Sequence, residues 1–134
     1  MVRGAMRYSG ERLLIVEDDQ EMRDLLRKVL EKDGYQVSLA GDRHEAIALL
    51  AQGPFDLVVT DLLMPHDGGL ELLTTIQQVY PAIPVIVTAF GDWHTYSRAL
   101  ELGAAAFISK PLHMAELIAA VHNALAKRSV AASP

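Results

Sequence analysis

The strongest constraint on the fold is a sequence pattern that repeats five times along the chain: a short apolar run, a polar turn, and a stretch with helical periodicity. Apart from the second, the runs are almost continuously apolar, which is typical of strands buried on both faces of a parallel sheet. Parallel strands need crossover helices, and these crossovers are right-handed, so the pattern predicts a doubly wound α/β domain. The predicted strands are residues 13–16, 36–39, 57–60, 85–88 and 106–109.

The length of 134 residues suits one compact domain rather than two. We expect residues 1–11 to be a leader or a disordered extension, residues 12–128 to form the folded domain, and residues 129–134 to be a tail or a linker stub. No apolar run approaches the roughly 18 to 20 residues that span a bilayer, and no signal peptide is recognisable, so we expect a cytoplasmic protein without a membrane partner. The chain has no cysteine, which excludes disulfides, and its net charge of -5 argues against direct nucleic-acid binding by this chain.

Polar side chains stand at the ends of four of the five predicted strands, where a doubly wound sheet places its ligand site. They are Glu17, Asp18, Asp19, Asp61, Thr88 and Lys110. Carboxylates that converge at one edge of a sheet repel each other unless a cation neutralises them, and oxygen ligands suit a hard ion such as Mg²⁺ or Mn²⁺. Each residue alone has an ordinary explanation as a helix cap, a strand residue or a surface lysine. Together, in this order and at strand ends, they indicate a functional site.

The types of these residues point to phosphoryl transfer. A carboxylate such as Asp61 can attack phosphorus to form an acyl phosphate. Lys110 can offset the negative charge of the incoming phosphoryl group, and the hydroxyl of Thr88 can donate a hydrogen bond to one of its oxygens.

The chain resembles the receiver domain of bacterial two-component response regulators over roughly residues 12–128. Four segments carry the resemblance: LLIVEDDQEMRDLL, DLVVTDLLMP with the following GLELL, PVIVTAF, and ALELGAAAFISKP. The resemblance implies a flavodoxin-like receiver fold, with a five-stranded parallel sheet in the strand order 2-1-3-4-5. It also implies a phosphoacceptor switch in a two-component phosphorelay. Such a domain is regulatory rather than an enzyme, with self-phosphorylation and autodephosphorylation as partial reactions.

By position, the resemblance assigns the phosphoryl chemistry to three residues. Asp61 would accept the phosphoryl group from a phosphohistidine, and Thr88 and Lys110 would bind that group. The partner that supplies it would be a sensor histidine kinase or a histidine phosphotransfer protein. The Lys110-Pro111 peptide corresponds to one that is commonly cis in the family.

The resemblance also assigns the ligands of a divalent cation, Mg²⁺ or Mn²⁺. Asp18 and Asp61 would contact the ion, and Glu17 would act through water. The backbone carbonyl of Leu63 would complete the protein ligands. Asp19, the third acid of the cluster, would not be a ligand.

Phe107 matches the aromatic switch position of the family. In the family, a shift of the residue at Thr88 toward the phosphoryl group opens space into which this aromatic ring turns. Phosphorylation would thereby alter the surface formed by the fourth helix, the fifth strand and the fifth helix, through which a homodimer is possible. Trp93 and Tyr96, at the start of the fourth helix, could be partner-binding aromatics on that surface or ordinary packing residues.

Several positions depart from the family pattern. Leu63 and Phe90 hold the positions that flank the hydrolytic water, and both are apolar, so we expect them to hinder water and prolong the life of a phosphoaspartate. Gly68 replaces a usual acidic residue, and this extra glycine should loosen the turn into the third helix by up to about 1 kcal/mol. The fourth strand is one residue short, so a shift must be absorbed before it if Thr88 is to face the site.

Three other functions are open at this stage. A phosphorylation-independent dimerisation module would share the fold, although the intact set of site residues counts against it. A metal-dependent phosphohydrolase would also use an aspartyl phosphate, but it would need a general acid where this chain has Leu63. A flavodoxin-like cofactor binder is disfavoured because the loop after the first strand, EDDQE, is acidic and free of glycine.

Overall fold

A computed structural model of the protein describes residues 10–62 and 68–132, apart from the side chains of residues 128–132. The strands are β1 (Arg12–Val16), β2 (Gln36–Ala40), β3 (Leu57–Asp61), β4 (Val85–Ala89) and β5 (Ala106–Ser109). They form one sheet in the order β2-β1-β3-β4-β5, and every neighbouring pair is parallel. The predicted topology is confirmed, and each predicted strand boundary lies within one residue of the observed one.

Helices cover both faces of the sheet. In the described part of the chain they are α1 (Gln20–Lys32), α2 (Arg43–Gln52), α3 (Gly68–Val79), α4 (Trp93–Glu101) and α5 (Met114–Ala132). Because side chains alternate along a strand, β1 contributes to two separate cores. Leu14 and Val16 pack with side chains of α2, α3 and α4, whereas Leu13 and Ile15 pack with side chains of α1 and α5. Among the described residues, no helix has both the length and the apolar character needed to cross a membrane.

Local signals set the ends of several helices. Gly34 and Gly103 follow α1 and α4 with φ angles of 102° and 94°, a region that residues with a side chain rarely adopt. Asp42 and Asp92 precede α2 and α4, and each side chain accepts a hydrogen bond from the N–H three residues later. Asp42 and Asp92 follow β2 and β4, so the helices that they cap begin at the carboxyl edge of the sheet.

Candidate functional site

The strand ends bring four of the predicted site residues to one edge and one face of the sheet. β4 is five residues long, and in its register with β3 Asp61 lies beside Thr88, so Thr88 faces the site. Because side chains alternate along a strand, both residues lie on the face of the sheet that packs against α1 and α5. Glu17 and Lys110, which directly follow β1 and β5, share that alternation. Glu17, Asp61 and Thr88 are buried, with at most 5% of their surface exposed.

Lys110 bridges two of the carboxylates. Its Nζ donates a hydrogen bond to Asp61 Oδ2 at 2.8 Å and lies 3.6 Å from Glu17 Oε1. Burial works to lower the pKa of Lys110, but the hydrogen bond and charge of Asp61, together with the charge of Glu17, outweigh burial and raise it. Lys110 is therefore charged and neutralises part of the negative charge at this edge. The Lys110-Pro111 peptide is cis, as the resemblance implies.

Glu17 is a buried carboxylate in a crowded acidic setting. Burial is the main cause that raises the pKa of Glu17, and the negative charge of Asp61 raises it further. The Asp19 N–H, which donates a hydrogen bond to Glu17 Oε2 at 3.2 Å, and the ammonium of Lys110 oppose this rise without cancelling it. Because the carboxylate form is not fully compensated, additional positive charge would be favourable here.

Three carboxylates converge closely enough to share a cation. Glu17, Asp18 and Asp61 each offer one oxygen, and these oxygens lie within 4.8 Å of one another. An all-oxygen donor set with one exposed member, Asp18, fits a hard divalent ion that binds few carboxylates and keeps several waters. Asp19 is exposed and outside this group. Leu63, whose carbonyl the resemblance adds to the ligands, lies outside the described residues.

Aromatic rings connect β5 to the surface of α4. Phe107 packs in the core that faces α2, α3 and α4, and its ring meets Tyr96 edge-on with the centroids 5.5 Å apart. The Tyr96 ring in turn lies 5.6 Å from that of Trp93. Trp93 is 76% exposed and Tyr96 is 38% exposed, so interpreting Trp93 as an ordinary packing residue is wrong. A Cβ on Gly91 would come 2.8 Å from Phe107 Cζ, which shows that the loop after β4 touches the same ring.

Phe90 lies at the entrance to the site. Its side chain is 66% exposed, and its ring centroid lies 5.9 Å from Lys110 Nζ, which is within the range of a cation–π interaction. The other predicted flank of the hydrolytic water, Leu63, lies outside the described residues. So does most of the loop whose geometry Gly68 was expected to loosen, although Gly68 itself begins α3.

The sequence analysis did not identify two residues that contact the site. Gly69 approaches the end of β3 so closely that a Cβ there would collide with the backbone carbonyls of Asp61 and Leu62. Arg23, in the first turn of α1, donates a hydrogen bond from Nη1 to the backbone carbonyl of Glu17 at 2.7 Å. Both lie in the segments that carry the resemblance, but their roles depend on contacts between loops, which no spacing rule reveals.

Comparisons with known proteins agree with this geometry. The family model described as the response regulator receiver domain matches residues 13–122. The response regulator protein PilR of Pseudomonas aeruginosa is 38% identical over 122 residues, which cover 90% of this chain. The DNA-binding transcriptional regulator NtrC of a Bradyrhizobium species is 37% identical over 116 residues, which cover 86%. The matches span only 27% and 24% of the lengths of these curated relatives.

A solved structure supports the same assignment. The CheY-like response regulator receiver domain protein from Methanospirillum hungatei matches with a TM-score of 0.85 at 29% identity, covering 90% of this chain and 98% of that one. Together with the family model, which spans most of the chain, this agreement shows that the protein belongs to the response regulator receiver domain family, a regulatory domain of two-component systems.

Proposed function

We propose that the protein is a phosphoacceptor switch in which Asp61 receives a phosphoryl group from the phosphohistidine of a sensor histidine kinase or a histidine phosphotransfer protein. The observation that carries this proposal is the convergence of Asp61 with Lys110 and the Glu17-Asp18 acidic pair at the carboxyl edge of the sheet. A merely structural role would not require three carboxylates to be held together in a partly buried position, because burying such charges costs free energy.

The transfer step needs little from the protein beyond position and charge. An oxygen of Asp61 attacks phosphorus, so a P–O bond forms and the P–N bond breaks. The electron pair of that bond stays on the imidazole nitrogen, which takes up a proton. Lys110, already beside Asp61, offsets the charge of the phosphoryl oxygens, and the Thr88 hydroxyl donates a hydrogen bond to one of them.

A divalent cation, Mg²⁺ or Mn²⁺, would supply further positive charge against the phosphoryl oxygens when bound. Glu17, Asp18 and Asp61 are the described residues that would hold it, with the carbonyl of Leu63 as the further ligand that the family pattern adds. Support for this assignment comes from the oxygen-only donor set and from the raised pKa of Glu17, which burial and the neighbouring Asp61 cause.

A conformational change at the site would reach the surface through the contacting rings of Phe107, Tyr96 and Trp93. When Thr88 bonds to the phosphoryl group, Phe107 would turn, and its edge contact with Tyr96 would change. The affected surface is that of α4, β5 and α5, through which the phosphorylated protein would form a homodimer or meet its target. Trp93 is the single tryptophan, so its fluorescence should change on phosphorylation. A Tyr96→Leu variant should be phosphorylated normally but lose that change.

We infer a slow autodephosphorylation from Leu63 and Phe90. Both are apolar, and the exposed ring of Phe90 lies over Lys110 at the entrance to the site. A double variant Leu63→Asn, Phe90→Glu should therefore lose its phosphoryl group faster than the wild type. Equal rates of loss would refute this inference.

Incubation with acetyl phosphate and Mg²⁺, followed by intact mass measurement, tests the proposed function. We expect one added phosphoryl group in the wild type and none in Asp61→Asn or after removal of divalent cations with EDTA. Asp42→Asn is the matched control, because asparagine caps a helix as well as aspartate does, and it should be phosphorylated like the wild type. Folded wild-type protein that gains no phosphoryl group would refute the proposal and favour a phosphorylation-independent dimerisation module.

A further inference from the structure

The peptide that joins Glu17 to Asp18 carries two of the three acids of the candidate cation site, and two hydrogen bonds hold the backbone of Glu17. The N–H of Glu17 donates a hydrogen bond to the carbonyl of Ala40, at the end of β2, at 3.0 Å. The carbonyl of Glu17 accepts a hydrogen bond from Arg23 Nη1 at 2.7 Å. The first contact is an ordinary strand-end hydrogen bond, whereas the second requires a long charged side chain to turn back from α1.

Arg23 spans two loops at the carboxyl edge of the sheet. Its guanidinium lies partly buried against the backbone of Gly41, where a Cβ would come 2.9 Å from Nη1 and 3.5 Å from Cζ. The Gly41 N–H is itself held by Glu45 Oε1 at 2.5 Å. The absence of a side chain at Gly41 therefore leaves the space in which Arg23 reaches Glu17. A charge-assisted hydrogen bond of this length is strong and directional.

Arg23 and Lys110 differ in the kind of group that each contacts. Lys110 contacts carboxylate oxygens of Asp61 and Glu17, so it competes with a cation for them. Arg23 instead donates its hydrogen bond to the backbone carbonyl of Glu17, so it holds the Glu17-Asp18 peptide in place. The side-chain carboxylates of Glu17 and Asp18 stay available to bind the ion. We propose that Arg23 is a positioning residue for the divalent cation site, and this inference rests on the proposed function of that site.

The proposal predicts an effect whose sign is opposite to that of simple electrostatics. Removing a positive charge from the neighbourhood of a cation site strengthens cation binding by Coulomb's law. Removing a residue that orients the ligands weakens it, typically by about 10-fold to 100-fold. If Arg23 positions the acidic pair, Arg23→Gln should bind Mn²⁺ about 10-fold more weakly despite the lost charge.

Titration with Mn²⁺, with free ion counted by electron paramagnetic resonance, measures this affinity without relying on phosphorylation. Arg27→Gln is the matched control, because it removes the same charge one turn further along α1 from an exposed position. We expect Arg27→Gln to bind Mn²⁺ as tightly as the wild type or slightly more tightly. Arg23→Lys keeps the charge but not the guanidinium, and its affinity should lie between those of the wild type and Arg23→Gln.

The outcomes separate this inference from the proposed function. Wild-type protein that binds Mn²⁺, with binding lost in Asp18→Asn but unchanged or tighter in folded Arg23→Gln, would overturn the role of Arg23 and leave the cation site intact. Wild-type protein without Mn²⁺ binding would overturn both. Thermal unfolding in EDTA shows whether Arg23→Gln is folded, and if it is not, Arg23→Lys decides: wild-type affinity in that variant would overturn the positioning role.

Discussion

Replacing Lys110 with methionine tests how the charges of the site balance. Methionine keeps the apolar stem but removes an ammonium that lies 2.8 Å from Asp61 and 3.6 Å from Glu17. At an effective dielectric constant of about 20, these attractions amount to about 6 and about 5 kcal/mol. The desolvation cost of the ammonium disappears with it, so the measured loss for breaking a buried pair is smaller, about 3 to 5 kcal/mol. Because 15% of the Lys110 side chain is exposed, we expect a loss of about 3 kcal/mol in metal-free protein.

Urea unfolding in EDTA, followed by circular dichroism, measures this loss. Lys28→Met is the control, since Lys28 is exposed on α1 and its replacement should change the free energy of unfolding by no more than about 0.5 kcal/mol. Mn²⁺ should stabilise Lys110→Met more than the wild type, because the ion no longer competes with an ammonium for the carboxylates. The reasoning is refuted if Lys110→Met is as stable as the wild type in EDTA, or if Mn²⁺ raises both stabilities equally.

Three further substitutions test the packing around the site and the helix ends. Gly69→Ala should lower the free energy of unfolding in urea by about 1 to 3 kcal/mol, because its Cβ meets backbone at the end of β3, whereas Gly53→Ala should be nearly neutral; equal stabilities would contradict the contact. Asp92→Ala should lower the urea midpoint at pH 7, and because the hydrogen bonds from Thr95 lower the pKa of Asp92, the difference should become smaller as the pH falls below 3.8. Burial raises the pKa of Tyr35 to about 12, so an ultraviolet titration should show a late-ionising phenol that Tyr35→Phe removes. The stability that the neutral phenol of Tyr35 provides is lost between pH 10 and 12.

The fold was largely predictable because its three central strands, β1, β3 and β4, are buried on both faces. Such strands read as unbroken apolar runs, and their ends are marked by residues that could not be buried without a partner. Glycine at positions 34 and 103 is a further local signal, because the positive φ after α1 and α4 favours glycine. The strand order, in contrast, came from the resemblance, since the alternation of strands and helices alone is compatible with other orders.

The candidate site was predictable only in part. Asp61, Thr88 and Lys110 were found because a parallel sheet gathers the residues that follow its strands at one edge. Arg23 and Gly69 were missed because their roles lie in contacts with backbone atoms of another segment, and the chemistry of a carbonyl is the same at every position of the sequence. The exposure of Trp93 was equally undetermined, since a helix that starts with aromatic residues does not reveal which of them the core can accommodate.

The proposed switch needs a physical link between two faces of the sheet. Thr88 faces α1 and α5, whereas Phe107 on the neighbouring strand faces α4, so the shift of Thr88 would have to reach the ring of Phe107 through the backbone. In the proposed switch, the loop after β4 would supply the connection, because Phe90 lies over Lys110 on the side of the site while Gly91 lies against the ring of Phe107. A phosphoryl group can bias the two states only through contacts that differ between them. In the proposed switch, Lys110 would provide such a difference by leaving part of its present pairing with Asp61 and Glu17. In the proposed switch, the rearrangement of Lys110 would therefore contribute to the coupling free energy, and the backbone of this loop would transmit it.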